Sequence, residues 1–172
     1  MLFRSLGSFP SEVRPERVTP ALLEVLLRHA ANPTVVVGVQ SGSDSVLTAM
    51  RRGHTVEDAA RAVLRIHDAG LSPHVDLLFG FPGETAADRL ATLDLADWVL
   101  SLLRGRLHLH VYLPLPGTPA WPAPPEVLEQ SVVARLRALV ATGRADGYWD
   151  HHVVQGRRIL AQAKAGLIRR GA

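Results

Sequence analysis

The sequence predicts an α/β fold in which about four parallel strands alternate with helices. Residues 35–39 and 74–79 are mostly apolar runs without regular polar alternation, as is typical of parallel strands buried on both faces. Each run leads into a polar, glycine-bearing loop and then into a helix with an identifiable N-cap. This order of elements is the signature of βαβ units, in which the strands are parallel.

The amino-terminal region predicts one strand and one helix. Residues 11–14 are predicted to form a short polar strand. Thr19 and Pro20 provide an N-cap and a proline at the first helical position, and leucines at helical spacing follow them. Asn32 and Pro33 are expected to end this helix before the first apolar strand.

Three N-caps predict the next three helices, at Ser43, Thr55 and Thr85. The two threonines are each followed after three residues by an aspartate, which is the spacing of a capping box. Gly53 and Gly70 are expected to end the first two of these helices in a left-handed conformation.

The remaining chain predicts one more strand and two more helices. Residues 107–113 alternate polar and apolar side chains as a strand does, and the proline-rich segment 114–125 is predicted to be a loop. Helices are predicted at residues 126–140 and 157–170, with an irregular segment at 143–156 between them. Four strands are too few to close a barrel, since closure takes about eight.

Length and composition indicate one soluble globular domain. The chain has 172 residues, of which 47% are hydrophobic, and a second full domain is not expected. No stretch approaches the roughly 18 apolar residues of a membrane span, and residues 1–10 lack the features of a signal peptide, so we expect no membrane contact and a cytoplasmic location.

The charge and the lack of cysteine restrict the functions that the chain can have. The formal net charge is +3, and the basic residues gather near the carboxyl end in a pattern that favours a solvated helix face over a nucleic-acid partner. The chain contains 0 cysteines, which excludes disulfides, thiolate nucleophiles and thiolate metal sites within it.

The loops after the apolar strands, residues 40–44 and 80–85, are where we expect function. In parallel α/β folds, ligands bind beyond the carboxyl ends of the strands. Asp76 lies within an apolar strand and needs a partner there, which is either a ligand or a nearby arginine or loop amide. Glu12 has two interpretations, as an ion-pair partner of Arg14 or Arg17 or as a cofactor contact.

His108 and His110 lie on one face of the strand 107–113 and could hold a divalent metal together with a carboxylate. No third ligand is evident in the sequence, so no metal ligand is predicted. A metal-dependent hydrolase built on this pair is one alternative function.

Four stretches resemble the second half of the catalytic core of radical S-adenosylmethionine (SAM) enzymes. They are VVVGVQSGSDSVLTAMRRGHT at 35–55, DLLFGFPGET at 76–85, SFPSEVRPE at 8–16 and PLPGTP at 114–119. Within that superfamily, the stretches are most similar to proteins that join the core to a cobalamin-binding domain, and next to the methylthiotransferases.

The resemblance implies a partial TIM-like (β/α)6 barrel, to which this chain contributes about the third to the sixth strands. Residues 1–125 would be the carboxyl-terminal portion of the core, and residues 126–172 a helical extension. The flank of such a half-barrel would carry unpaired backbone groups. A separately encoded amino-terminal half is therefore an expected partner.

The resemblance also implies that SAM lies across the carboxyl ends of these strands. Arginine suits its carboxylate because a guanidinium offers a fork of donors, and glycine lets the backbone approach the adenine. The implied cofactor-binding residues are Glu12 and Arg14 near the amino-acid part, Gln40 and Ser41 near the ribose or carboxylate, and Gly80, Phe81, Pro82, Leu113 and Pro114 around the adenine. Asp76 joins this set on its own residue chemistry, because a buried aspartate needs a partner that a ligand could supply.

The lack of cysteine departs from the pattern of the family. Radical SAM enzymes cleave SAM with a [4Fe-4S] cluster that cysteine thiolates of a CxxxCxxC loop hold, and this chain has 0 cysteines. We therefore expect a truncated or split reading frame, or a fragment whose other half is encoded separately. The cluster, and cobalamin if the complete protein uses it, would have their ligands outside this chain.

Two functions follow from the resemblance. In the first, the chain is the SAM-binding part of a radical SAM enzyme and is inactive without the missing half. In the second, it is a cluster-free remnant that binds SAM or a partner subunit. A tRNA methylthiotransferase is disfavoured, because those enzymes end in a small β-rich RNA-binding domain and the tail here predicts a basic helix.

Overall fold

Helices and strands alternate along the part of the chain that the structure describes, which is residues 12–31, 33–147 and 149–168 of a computed structural model. A short 3-10 helix lies at Pro15–Arg17. The other elements are α1 (Pro20–His29), β1 (Thr34–Gln40), α2 (Asp44–Ala49), α3 (Val56–Asp68), β2 (Ser72–Phe79), α4 (Ala86–Ser101), β3 (Arg106–Val111), α5 (Gln130–Ala141), β4 (Ala145–Asp146) and α6 (Trp149–Lys164).

The four strands form one parallel sheet in the order β1-β2-β3-β4. Each strand therefore lies beside the next strand in the sequence, and helices make the crossovers. The register of β2 and β3 runs without interruption from His74 opposite Arg106 to Phe79 opposite Val111. The predicted α/β fold with four parallel strands is confirmed, and the sheet is open rather than a closed barrel.

The identity of one strand differs from the prediction. The segment at 11–14 contributes only an isolated bridge between Val13 and Val37, and residue 11 lies outside the described residues. The fourth strand is β4, within the segment predicted to be irregular. Ala145 is buried at the sheet edge, so tertiary burial rather than local pattern makes this two-residue strand.

The last two helices begin at other positions than the sequence predicted. Helix α6 begins at Trp149 rather than at residue 157, because the buried Trp149 side chain joins the hydrophobic core. Helix α5 begins at Gln130 rather than at Glu126. The N–H of Glu126 donates to the Gly80 carbonyl at 2.9 Å, so this residue belongs to the preceding loop. Of the predicted tail helix, residues 169–170 lie outside the described residues.

The predicted caps are confirmed at both threonines. Thr55 and Thr85 each form a capping box with the aspartate three residues on. Ser43 stands at the N-cap of α2, but its hydroxyl does not cap that helix. It donates to Asp88 Oδ1 at 2.6 Å, which ties the loop after β1 to the first turn of α4.

Helices cover one face of the sheet and leave the other polar. On the covered face, apolar strand residues pack against α3, α4 and α5. Alternate residues point to the opposite face, and on β2 and β3 these include His74, Asp76, His108 and His110. We call this surface the polar face.

The helices of the described part of the chain include none with the length and the hydrophobicity needed to cross a lipid bilayer. The cytoplasmic location remains a prediction of the sequence.

Candidate functional site

A cavity of about 510 Å³ lies at the carboxyl ends of β1, β2 and β3, and we call it the rim cavity. Its volume is in the range of pockets that bind small molecules. Apolar and polar groups both reach it, as such pockets require. Its lining includes Gln40, Arg51, Phe81, Pro82, Tyr112 and Leu113.

A smaller cavity of about 280 Å³ lies beside the rim cavity, and we call it the inner cavity. The two cavities share Gln40, Leu78, Tyr112 and Leu113. The residues that line only the inner cavity include Glu12, Asp76, His110 and His152. The structure thus brings Glu12, Gln40, Asp76, Phe81, Pro82 and Leu113 of the implied cofactor-binding set to two adjoining cavities.

Two residues of the rim cavity have backbones in the left-handed region, Gln40 at φ 76° and Arg51 at φ 55°. Residues other than glycine seldom adopt this conformation, and such strain clusters at functional sites. The Gln40 amide lies between the two cavities, and its Nε2 donates weakly to Glu12 Oε1 at 3.4 Å.

Glu12 pairs with an arginine that the sequence did not single out. Its Oε1 lies 3.2 Å from Nη2 of Arg52, which also donates to the Gly38 carbonyl at 2.9 Å. A Cβ on Gly38 would lie 2.6 Å from Glu12 Cγ and Oε1. The glycine therefore makes room for this pair. A glycine inside an apolar strand often marks such a close approach, and this was the available sequence signal for Arg52.

Arg14 does not line either cavity. Its guanidinium donates to the Arg52 carbonyl, and its Nε lies 2.8 Å from Glu16 Oε1. The arginines that do line the rim cavity are Arg51 and Arg52, which follow helix α2.

Ser41 is fully buried and points toward helix α4. Its Oγ lies 3.1 Å from Thr92 Oγ1 and accepts a hydrogen bond from the Ser43 N–H at 3.1 Å. Thr92 Oγ1 also accepts from the Gly42 N–H at 3.0 Å. The hydroxyl of Ser41 thus holds the loop in place and does not line the rim cavity or the inner cavity.

The backbone of Gly80 is in the left-handed region at φ 75°. Its N–H donates to Glu84 Oε2 at 2.6 Å, and its carbonyl accepts from the Glu126 N–H at 2.9 Å. Both polar groups of Gly80 therefore have partners within the chain. Pro114 is buried beside Gly156 of α6 and lines neither cavity.

Glu84 and Arg89 form a buried ionisable pair behind this loop. Arg89 Nη1 donates to the Glu84 carbonyl at 2.9 Å, and its other nitrogens hold Glu129 at 2.8 and 2.6 Å. Burial raises the pKa of Glu84 to about 7, although the Gly80 N–H and Arg89 oppose this shift. The pKa of Glu129 is lowered by its hydrogen bonds from Arg89.

Four imidazoles stack along the polar face, and we call them the histidine row. The ring centroids are 5.8 Å apart for His74 and His108, 4.4 Å for His108 and His110, and 5.7 Å for His110 and His152 of α6. Burial, followed by the charge of His110, lowers the pKa of both His108 and His152. The sequence indicated His108 and His110 as a pair but gave no signal for the row.

Asp76 lies against this row. It is 2% exposed, and its Oδ1 lies 4.0 Å from His108 Nδ1 and 3.9 Å from His110 Nε2. The neighbours of the carboxylate are thus imidazoles, where the sequence had suggested a ligand, an arginine or a loop amide. A carboxylate beside the two histidines was not evident from the sequence, and the register of β2 and β3 brings Asp76 to them.

Residues 9–96 match the sequence pattern of the Radical SAM superfamily. A curated tRNA-2-methylthio-N(6)-dimethylallyladenosine synthase from Jannaschia sp. (strain CCS1) is 38% identical over 129 residues, which are 74% of this chain and 27% of that protein. The threonylcarbamoyladenosine tRNA methylthiotransferase MtaB of Thermotoga maritima is 38% identical over 113 residues, which are 64% of this chain and 25% of that protein. The chain spans about a quarter of the length of these curated relatives.

Two solved structures have a similar fold. Elp3 of the archaeon Methanocaldococcus infernus superposes with a TM-score of 0.60 at 19% identity. The superposition covers 93% of this chain and 42% of the Elp3 chain. The radical SAM methyltransferase TsrM of Kitasatospora setae, solved with cobalamin and a [4Fe-4S] cluster, superposes with a TM-score of 0.59 at 18% identity and covers 91% of this chain and 44% of its own.

Proposed function

The chain belongs to the radical SAM superfamily, and from this premise we propose that its rim cavity binds the adenosyl part of SAM within the carboxyl-terminal part of a radical SAM core. The family implies two cofactors, SAM and a [4Fe-4S] cluster. The observation that carries the proposal is the position of the rim cavity, at the carboxyl ends of three parallel strands where α/β folds bind ligands.

The apolar wall of the rim cavity suits an adenine. Phe81 and Tyr112 both line it, and their rings meet edge to face with centroids 5.4 Å apart. Leu113 adds a further apolar surface. Such a wall covers the faces of a flat base and fixes its orientation.

The polar lining suits the ribose and the carboxylate of SAM. The Gln40 amide lies at the junction of the two cavities, within reach of a ligand that extends from one into the other. Arg52 is already held by Glu12 and the Gly38 carbonyl. Arg51 lines the rim cavity and is exposed, so we assign it the carboxylate in place of Arg14, whose guanidinium is bound elsewhere.

The residues of this chain do not fit the iron–sulfur cluster. Its ligands are thiolates, and the chain has 0 cysteines. The cluster supplies the electron for reductive cleavage of SAM, so that reaction needs cysteines from outside this sequence. We propose that a separately encoded amino-terminal half contributes them and covers the polar face. Cobalamin remains a prediction from the resemblance.

A second candidate function is the barrel portion of a tRNA methylthiotransferase. It is favoured by the 38% identity to two curated enzymes of that class. Its test is mass spectrometry of bulk tRNA from cells with and without the gene. Loss of a methylthio nucleoside on deletion supports this function, whereas an unchanged tRNA profile removes it.

Titration of the purified chain with SAM tests the proposed function. Calorimetry with SAM and S-adenosylhomocysteine should give saturable binding at one site, because the adenosyl and carboxylate contacts do not depend on the cluster. Phe81→Ala should weaken binding by about tenfold, or about 1.4 kcal/mol, and Arg51→Ala should weaken it similarly.

Two variants on exposed helix surfaces serve as controls. Leu90→Ala on α4 and Arg137→Ala on α5 remove similar groups from positions that line neither cavity. They should bind SAM as the parent chain does. Absence of heat at millimolar SAM, or equal losses in the controls and in Phe81→Ala, would contradict the proposed site.

A further inference from the structure

Pairing of β2 with β3 brings three potential metal ligands together on the polar face. Asp76 lies opposite His108 in the register, and Leu78 lies opposite His110. Residues two apart on a strand share a face, so both imidazoles lie on the same face of the sheet as the Asp76 carboxylate of the neighbouring strand. One nitrogen from each imidazole and one carboxylate oxygen of Asp76 lie within 4.8 Å of one another.

One buried oxygen of the Asp76 carboxylate has no hydrogen-bond partner among the described residues. The residue is 2% exposed, and its Oδ1 accepts no hydrogen bond within the described part of the chain. Its distances of 4.0 and 3.9 Å to the two imidazoles exceed hydrogen-bond length. A buried carboxylate oxygen without a hydrogen bond is costly, and a cation between the three groups would offset that cost.

The distances suit an ion between the ligands. Bonds of about 2.0–2.2 Å to tetrahedral zinc place ligand atoms about 3.4 Å apart. The oxygen–nitrogen distances of 4.0 and 3.9 Å need to close by about half an ångström to reach this separation. Half-buried imidazoles on a sheet surface can make this adjustment by small rotations of their side chains.

We propose that Asp76, His108 and His110 form a binding site for a divalent transition-metal ion, with zinc as the reference ion. Two imidazoles and one carboxylate favour zinc, cobalt or iron(II) over magnesium and calcium, which prefer oxygen ligands. Asp76 and His110 both line the inner cavity. The coordination positions not filled by protein therefore open toward that cavity, where a water molecule or an oxygen or nitrogen of a ligand can bind the ion.

A second set of ligands, His74, His108 and Asp146, overlaps this one. It shares His108, so the two sets compete for one imidazole. Asp146 has a side chain that is 53% exposed and lies in a two-residue strand. Water already satisfies such a carboxylate, so the structure favours the set with the buried Asp76.

Metal titration of the full chain, prepared without a histidine tag and stripped with a chelator, tests this site. Zinc should bind at one equivalent in competition with a chromophoric chelator, and cobalt(II) should give the visible d–d absorption of a low-coordinate site. His110→Gln and Asp76→Asn should each weaken binding by about 100-fold. The matched controls His67→Gln on α3 and Asp146→Asn should leave binding unchanged.

X-ray absorption spectroscopy of the zinc-loaded parent chain identifies the zinc ligands directly, without any substitution. It should report two imidazoles and a carboxylate in the first coordination shell. The proposal would be overturned if the chain failed to bind zinc or cobalt, or if His110→Gln bound the metal as tightly as the parent chain. It would also be overturned if Asp146→Asn weakened binding and Asp76→Asn did not. Binding of SAM to the rim cavity is measured separately without metal, so either result can fail alone.

Discussion

Replacement of Glu84 by glutamine should remove a specific pH dependence from the stability of this chain. The Glu84 side chain is fully buried and its pKa is raised to about 7 from an ordinary value of 4.5, chiefly by burial. The folded state therefore holds a proton that the unfolded state has lost between about pH 4.5 and pH 7. Stability contributed by this group is present at low pH and is lost as the pH rises through this window.

The size of the effect follows from the two pKa values. A difference from 4.5 to about 7 corresponds to at most about 3 kcal/mol, and we expect about 1–3 kcal/mol between pH 4.5 and pH 8. Other groups also have shifted pKa values, and burial lowers the pKa of both His108 and His152. The contributions of these other groups to stability cancel when the pH dependence of Glu84→Gln is subtracted from that of the parent chain.

Urea unfolding at pH 4.5 and pH 8 measures the difference. The parent chain should lose more stability on going to pH 8 than Glu84→Gln does, because glutamine can still accept the Gly80 N–H without a charge to bury. Glu57→Gln, on the exposed surface of α3, is the matched control and should behave as the parent does. Identical pH dependence in the parent and in Glu84→Gln would refute the reasoning.

Two further substitutions separate structural roles from binding roles. Ser41→Ala removes the contacts to Thr92 and to the Ser43 N–H, so it should lower the unfolding free energy by about 1 kcal/mol. It should leave the calorimetric affinity for SAM unchanged. A loss of affinity without a loss of stability would instead show that Ser41 contacts the ligand. Gly38→Ala places a Cβ 2.6 Å from Glu12 Cγ, and this overpacking should cost about 1–3 kcal/mol in urea unfolding, whereas an unchanged midpoint would show that the Glu12 side chain moves aside freely.

Local patterns in the sequence were sufficient for the elements that local interactions determine. The capping boxes at Thr55 and Thr85 and the apolar runs of β1 and β2 are such cases. Strand β4 has only two residues, and nothing within them is typical of a strand. It exists because Ala145 reaches the edge of β3, a contact between distant parts of the chain that periodicity does not report.

The candidate site was predictable in its position but not in all of its side chains. Parallel topology alone places the loops after β1 and β2 at one edge of the sheet, and the rim cavity lies there. Which side chains enter the cavity depends on rotamers and partners. Ser41 turns to Thr92 and Arg14 turns to Glu16, and neither pairing has a sequence signal.

The two borders of the sheet differ greatly in length. On one side, β4 spans only Ala145–Asp146. On the other, the seven residues of β1 meet only the bridge of Val13 with Val37 among the described residues. Unpaired backbone groups at a sheet edge can pair with a further strand, so an added strand would find more hydrogen-bonding groups along β1 than along the two residues of β4.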